Sequence, residues 1–150
     1  MSGSYATPAF QTPNASAYKG MVEIKGGTGR RIEFYDFLFG ASGTPSDDTI
    51  TYSIIRTTGT AGAGASVTSE ALDPADVAST TTNLEDLTTE ATTAGIELFE
   101  LPVNVRASYR WVAAPKGEII VAATANLGCA FRSKSPGFIL QTDCTVHHKE

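Results

Sequence analysis

Apolar residues in this chain recur at every second position far more often than at helical spacing, so the pattern predicts strands. From Thr49, residues Ile50, Tyr52 and Ile54 fall on one face, with Thr51, Ser53 and Ile55 on the other. The pattern breaks at Arg56 into a loop of Gly, Ala and Thr with nothing to bury, closed by a turn beginning at Leu72-Asp73-Pro74. Upstream, Met21, Val22 and Ile24 predict a short strand, and Gly26-Gly27-Thr28-Gly29 predicts a hairpin turn into a second strand over 30–39. There Ile32, Phe34 and Leu38 share a face interrupted by Asp36, while Glu33, Tyr35, Phe37 and Phe39 share the other. Two largely apolar faces imply burial on both sides, or one face kept for a partner.

The alternation is clearest over 103–113. Val103, Val105, Ala107, Tyr109, Trp111 and Ala113 take every second place, with Asn104, Arg106, Ser108, Arg110 and Val112 between them. This predicts one strand with a core face and a wet, cationic face. Pro115-Lys116-Gly117 turns the chain into a strand over 118–125; Leu127, Cys129 and Phe131 alternate in the next. Phe138, Leu140, Thr142, Cys144 and Val146 line one face of the last. Between these blocks, Leu84, Leu87 and Ala91 have the spacing of a weak amphipathic helix, but the surrounding threonines disfavour one, so 79–95 is expected to be a loop. Seven or eight short strands and no strong helix predict an all-β fold, an antiparallel β-sandwich or jelly roll, over residues 18–150. Residues 1–17 lack periodicity. With Tyr5, Pro8, Phe10 and Pro13 spaced along them and Tyr18 just beyond, they are read as an extended arm lying along another molecule; the alternative is a frayed terminus.

At 150 residues the chain is long enough for one domain that buries roughly two-thirds of its unfolded surface. A net charge of -5 argues against a nucleic-acid partner. The charge is uneven: no Lys or Arg lies between Arg56 and Arg106, where eight acidic residues do. That acidic middle reads first as a solvated face, and second as a surface for subunit contacts with the cationic flanks. Cys129 and Cys144 read as buried free thiols of a reducing compartment, with a single bridge between C-terminal strands as the alternative. The first residues lack a signal-peptide pattern, and no apolar run nears the ~18 residues of a membrane span, so synthesis in a cytoplasm and no membrane partner are expected.

Chemistry-bearing motifs are few. His147 and His148 are adjacent, so on a strand they face opposite ways and cannot easily share a metal. Gly40-Ala41-Ser42-Gly43 places its second glycine one position too early for a nucleophile turn. Gly62-Ala63-Gly64 begins a dinucleotide fingerprint, but Val67 stands where its third glycine belongs. Neither Glu33 with Asp36 nor Asp73 with Asp76 comes with an apolar pocket to separate their pKa values. Arginines and aromatics of 106–111 fall on opposite faces, which opposes a base-stacking platform. An enzyme is disfavoured, and no metal or cofactor is expected.

One longer pattern remains. Ile54-Ile55-Arg56-Thr57-Thr58-Gly59, followed by the small-residue loop and Leu72-Asp73-Pro74-x-Asp76-x-Ala78-x-Thr80, resembles a pattern in the head decoration, or cement, proteins of tailed bacteriophages. The likeness covers roughly residues 50–147 and involves mostly small residues. It implies a homotrimeric β-sandwich subunit on the capsid exterior that clamps neighbouring copies of the major capsid protein. Its contact candidates are Tyr5, Pro8, Phe10, Pro13 and Tyr18 in and beside the arm, and Arg56, Thr57 and Thr58 opening the loop. The alternative is an adhesion or carbohydrate-binding module of a phage tail or fibre, with Tyr35 or Trp111 as its stacking surface.

Overall fold

The computed structural model describes residues 3–12, 17–137 and 140–150, so Pro13 and Phe138 of the preceding reading lie outside the described residues. Twelve strands and no helix occur among the described residues. In chain order they begin with β1 (Ser4–Gln11), β2 (Lys19–Lys25), β3 (Ile32–Ser42), β4 (Thr49–Thr57), β5 (Ala63–Ser66) and β6 (Glu70–Ala71). There follow β7 (Thr82–Thr89), β8 (Thr93–Asn104), β9 (Tyr109–Val112), β10 (Ile119–Val121), β11 (Gly128–Lys134) and β12 (Gln141–Lys149). The first sheet runs β10-β3-β12-β1-β6, with β9 also pairing β3; the second runs β5-β7-β2-β11-β4-β8. All these pairs are antiparallel, and the two sheets form the β-sandwich the alternation predicts.

Inward residues of both sheets make one core. Phe34, Phe37 and Phe39 from β3 meet Phe131 and Tyr52 from the opposite sheet, with ring centroids 4.3–5.1 Å apart. Met21, Val22, Ile24, Ile50, Ile54 and Val146 are fully enclosed around them. Each such side chain contributes roughly 1.5–3 kcal/mol on leaving water, which is what closes the sandwich. Cys129 and Cys144 sit in this core as free thiols. Burial pushes the Cys129 thiol up to about 12 and the Cys144 thiol higher still.

Several expectations are corrected. Ser4–Gln11 is no arm: it pairs with β12 over eight residues and with β6 on its other side. Tyr5, Thr7, Ala9 and Gln11 point inward and are buried, an alternation hidden in the sequence because two of the four are polar. The Gly26–Gly29 turn makes no hairpin, since β2 and β3 belong to different sheets. It carries the chain across the sandwich, with Gly29 at φ +93° and the Gly26 amide donating to the Leu127 carbonyl at 2.9 Å.

The two apolar faces of β3 have one cause. His147 pairs with Asp36 and His148 with Phe34, leaving Tyr35 as an extra residue. This β-bulge shifts the alternation by one, so Ile32 and Phe34 face the core before it, and Phe37 and Phe39 after it.

The predicted strand over 103–113 is broken. Asn104 ends β8 by accepting the Arg106 amide on its side-chain oxygen and the Ala107 amide on its carbonyl, both at 2.9 Å. The chain then crosses to the first sheet, so Val103 and Val105 are buried while Tyr109 is exposed. The expected strand over 118–125 is cut to Ile119–Val121.

The threonine-rich segment is a strand, β7, not a loop, as β-branched residues favour. The small-residue loop likewise contains β5. A Cβ on Gly64 would stand 2.4 Å from the Glu85 carbonyl oxygen, and one on Gly62 2.6 Å from that of Thr89. The resemblance to a nucleotide loop thus has a packing cause: glycines let β5 lie flat on β7.

Candidate contact surface

The residues that sequence reasoning selected as contacts are not brought together. Tyr5 is fully buried, stacked on His148 with ring centroids 5.4 Å apart, and its hydroxyl donates to the Val77 carbonyl at 2.9 Å. It is a structural residue. Pro8 and Phe10 point away from the core on the same strand and are exposed. Tyr18 lies on the other sheet, where Arg132 and Lys134 approach its ring at 4.5 and 4.4 Å and Glu100 accepts its hydroxyl at 2.7 Å. Burial, then that hydrogen bond, raises its pKa. Arg56 Nη1 donates to the Ile120 carbonyl at 2.6 Å, and Thr57 is buried. The Thr58 amide donates to the Thr92 carbonyl at 2.8 Å.

The second half of the decoration-protein pattern, Leu72 to Thr80, by contrast forms a held surface feature, while its first half lies mostly in the buried strand β4. Asp73 shapes the turn at Pro74: its side chain accepts the Ala75 amide and its carbonyl the Asp76 amide, both at 2.9 Å. The Leu72 amide donates to the Ser4 carbonyl at 2.8 Å, tying the entry of the excursion to β1. Its exit is gripped by Glu150, whose side chain is fully buried. The carboxylate accepts the Ser79 hydroxyl, the Thr80 hydroxyl at 2.6 Å and the Thr80 amide at 2.9 Å, with His148 Nε2 at 3.4 Å. Burial alone would raise this carboxyl, but the hydrogen bonds from His148, Ser79 and Thr80 outweigh it and hold the pKa at about 2. Ser79 continues through Thr81 and Ser69 to Thr7 by hydroxyl contacts of 2.7, 3.3 and 2.6 Å. The excursion is fixed at both ends, yet Leu72 and Val77 stay 54% and 57% exposed.

On the outer face of the first sheet, the bulge at Tyr35 brings Asp36 between Arg110 and His147. Arg110 grips the carboxylate with two bonds, of 2.9 and 2.6 Å, and His147 Nδ1 stands 3.0 Å away. Burial raises the Asp36 carboxyl, but the Arg110 and His147 hydrogen bonds prevail and keep it below the usual carboxylate range. The two histidines do face opposite ways, His148 enclosed beside Tyr5 and His147 on this surface. No group of three or more metal-ligating His, Cys, Asp or Glu occurs among the described residues. A shallow hollow of about 350 Å³ follows along β9, lined by Leu38, Ser108, Tyr109, Arg110, Asp143 and Thr145. Tyr109 is the exposed aromatic there, whereas Trp111 packs against Phe99.

Sequence reasoning missed the Glu150 grip, because neither a terminal Glu nor a Ser-Thr-Thr run signals a partner about seventy residues away in the chain. It also missed the bulge in β8, for which Gly95, at φ +78°, was the available signal. No family model matches the chain, and no curated protein or solved structure matches it either.

Proposed function

We propose that this chain is a structural virion protein of a tailed bacteriophage, bound to the outside of the shell between capsomers of the major capsid protein. The observation that carries the reading is the excursion over 72–81, which holds the second half of the decoration-protein pattern and is anchored at Ser4 and Glu150 while Leu72 and Val77 face solvent. A pre-ordered loop presenting apolar side chains loses little conformational entropy on docking. Many such subunits, each adding a modest contact, reinforce a shell by avidity. The shell contact therefore moves from the expected arm to this excursion, joined on the same sheet by exposed Pro8 and Phe10. The test is co-sedimentation of the purified chain with undecorated shells of the source virus. Binding by the wild type and its loss in Leu72→Asp/Val77→Asp is the expected result; equal binding by the double variant refutes the assignment.

A second reading is an adhesion module of a tail or fibre, favoured by the hollow in which Tyr109 lies beside Arg110 and Asp143. An exposed aromatic flanked by hydrogen-bonding groups suits a sugar ring. A glycan array separates the two: specific sugar binding that Tyr109→Ala removes supports adhesion, and silence on the array removes that reading.

A further inference from the structure

The end of β5, strand β6, the excursion and the start of β7 bound a hollow of about 660 Å³. No Lys, Arg, His or aromatic side chain is among the residues that line it. The hydroxyl protons of its buried wall are already committed. Glu150 is held ionised and only accepts, so the Ser79 hydroxyl donates to it. Thr81 then donates to Ser79 at 2.7 Å, Ser69 to Thr81 at 3.3 Å, and Thr7 to Ser69 at 2.6 Å. Asn83, on the same wall, is 3% exposed. Its Nδ2 donates to Ser69 Oγ at 2.8 Å and to the Val67 carbonyl at 3.3 Å, while its Oδ1 has no partner. The carboxylates of Glu70 and Asp76 also line the hollow, and neither meets a cation or a hydrogen-bond donor among the described residues. These side chains therefore present lone pairs and negative charge, and no free donor. The exposed hydroxyls of Ser66, Thr68 and Thr82 rotate to either role.

We propose that this hollow binds an organic ammonium ion, either the ε-ammonium of a lysine side chain or a free polyamine. A wall of acceptors is completed by a ligand with donors and no acceptors, and a primary ammonium brings three N–H groups and a positive charge. Glu70 and Asp76 supply the opposite charge, and the buried Asn83 oxygen, without a donor from the chain itself, gains one from the ligand. A bare metal ion fits less well. Its oxygen ligands have to close to roughly 2.0–2.6 Å around it, and no group of three or more acidic or other metal-ligating side chains occurs among the described residues. A hollow of about 660 Å³ instead has the size of a site for a small organic ligand. A neutral sugar would bring acceptors of its own and finds no aromatic ring to stack on. The sequence agrees, since no Lys or Arg lies between Arg56 and Arg106 to fill the site from its own segment. The assignment rests on the wall of the hollow and does not depend on the shell reading above.

The test is titration of the purified chain with spermidine and, separately, with Nα-acetyl-lysine methylamide, read by calorimetry and by proton–nitrogen correlation spectra. Saturable binding is expected, with shifts centred on the Asn83 side-chain amide and the Ser69 and Thr81 backbone amides. A response to both amines identifies a lysine side chain as a sufficient ligand, and a response to spermidine alone identifies a free polyamine; either supports the site. Glu70→Gln/Asp76→Asn keeps the shape of both side chains and removes their charge, and far-UV circular dichroism checks its fold. This variant is expected to bind about tenfold more weakly, the combined worth of two partly screened charges. Three results overturn the proposal: no saturation by either amine through the millimolar range, undiminished binding by the folded double variant, or shifts scattered over the acidic surface away from Asn83.

Discussion

Glu150→Gln is the sharpest probe of how the excursion over 72–81 is held. The substitution keeps the shape but removes the charge, and it sets an amide NH2 among groups that already donate: the Ser79 and Thr80 hydroxyls and the Thr80 amide. An ordinary glutamate carboxyl at 4.5 is held here at about 2. At ~1.4 kcal/mol per unit, the folded site favours the charged form by about 3 kcal/mol. Because the folded value lies below the unfolded one, this contribution is complete above about pH 4.5, declines as the pH falls, and is gone below about 2. Urea denaturation from pH 7 to pH 2.5 reads it directly. At pH 7 the variant is expected to be less stable by about 3 kcal/mol, and the two curves should converge as the solution is acidified. Hydrogen exchange at the Leu72 and Thr80 amides should accelerate in the variant at neutral pH. Parallel stability curves across the range, or unchanged exchange at these amides, would refute the view that Glu150 pins the excursion.

Further expectations follow from the packing. Deleting residues 1–11 removes a strand that pairs on both sides, so circular dichroism should show loss of the fold where detachment of an arm would leave it intact. Gly128→Ala places a Cβ 2.2 Å from the Ile24 carbonyl oxygen in the middle of a sheet, and urea titration should record a loss of about 1–3 kcal/mol or more. Phe37→Ala removes a ring that contacts Phe39, Phe99 and Phe131, and should cost about 3–5 kcal/mol by the same measure. With its pKa pushed up to about 12 and no exposure, Cys129 should react with a thiol reagent at pH 8 only as fast as the chain unfolds; so should Cys144.

The fold class was legible because the core strands alternate cleanly: Ile50, Tyr52 and Ile54, or Cys129 and Phe131, are buried as their spacing requires. The topology was less so, for local reasons. Strand β1 hides its inward face behind Thr7 and Gln11, which are satisfied by Ser69, Gly20 and Leu87 rather than by an apolar core. The even alternation of 103–113 conceals a crossing between sheets, whose only sign is Asn104, a residue that turns the backbone with its own side chain. In β3 the doubling of apolar faces was visible, but alternation alone does not distinguish a bulge from burial on both sides. The contact surfaces were the least legible part. Exposure of Leu72 and Val77 depends on hydrogen bonds between residues far apart in the chain, which no local pattern encodes.

The proposed shell-decorating role is tested by quantitative mass spectrometry of purified phage particles from the source of this chain, counting the chain against the major capsid protein. Copy numbers of the two proteins in a simple stoichiometric ratio are the predicted result. A handful of copies per particle would place the chain at the tail and favour adhesion, and its absence from particles would contradict the account.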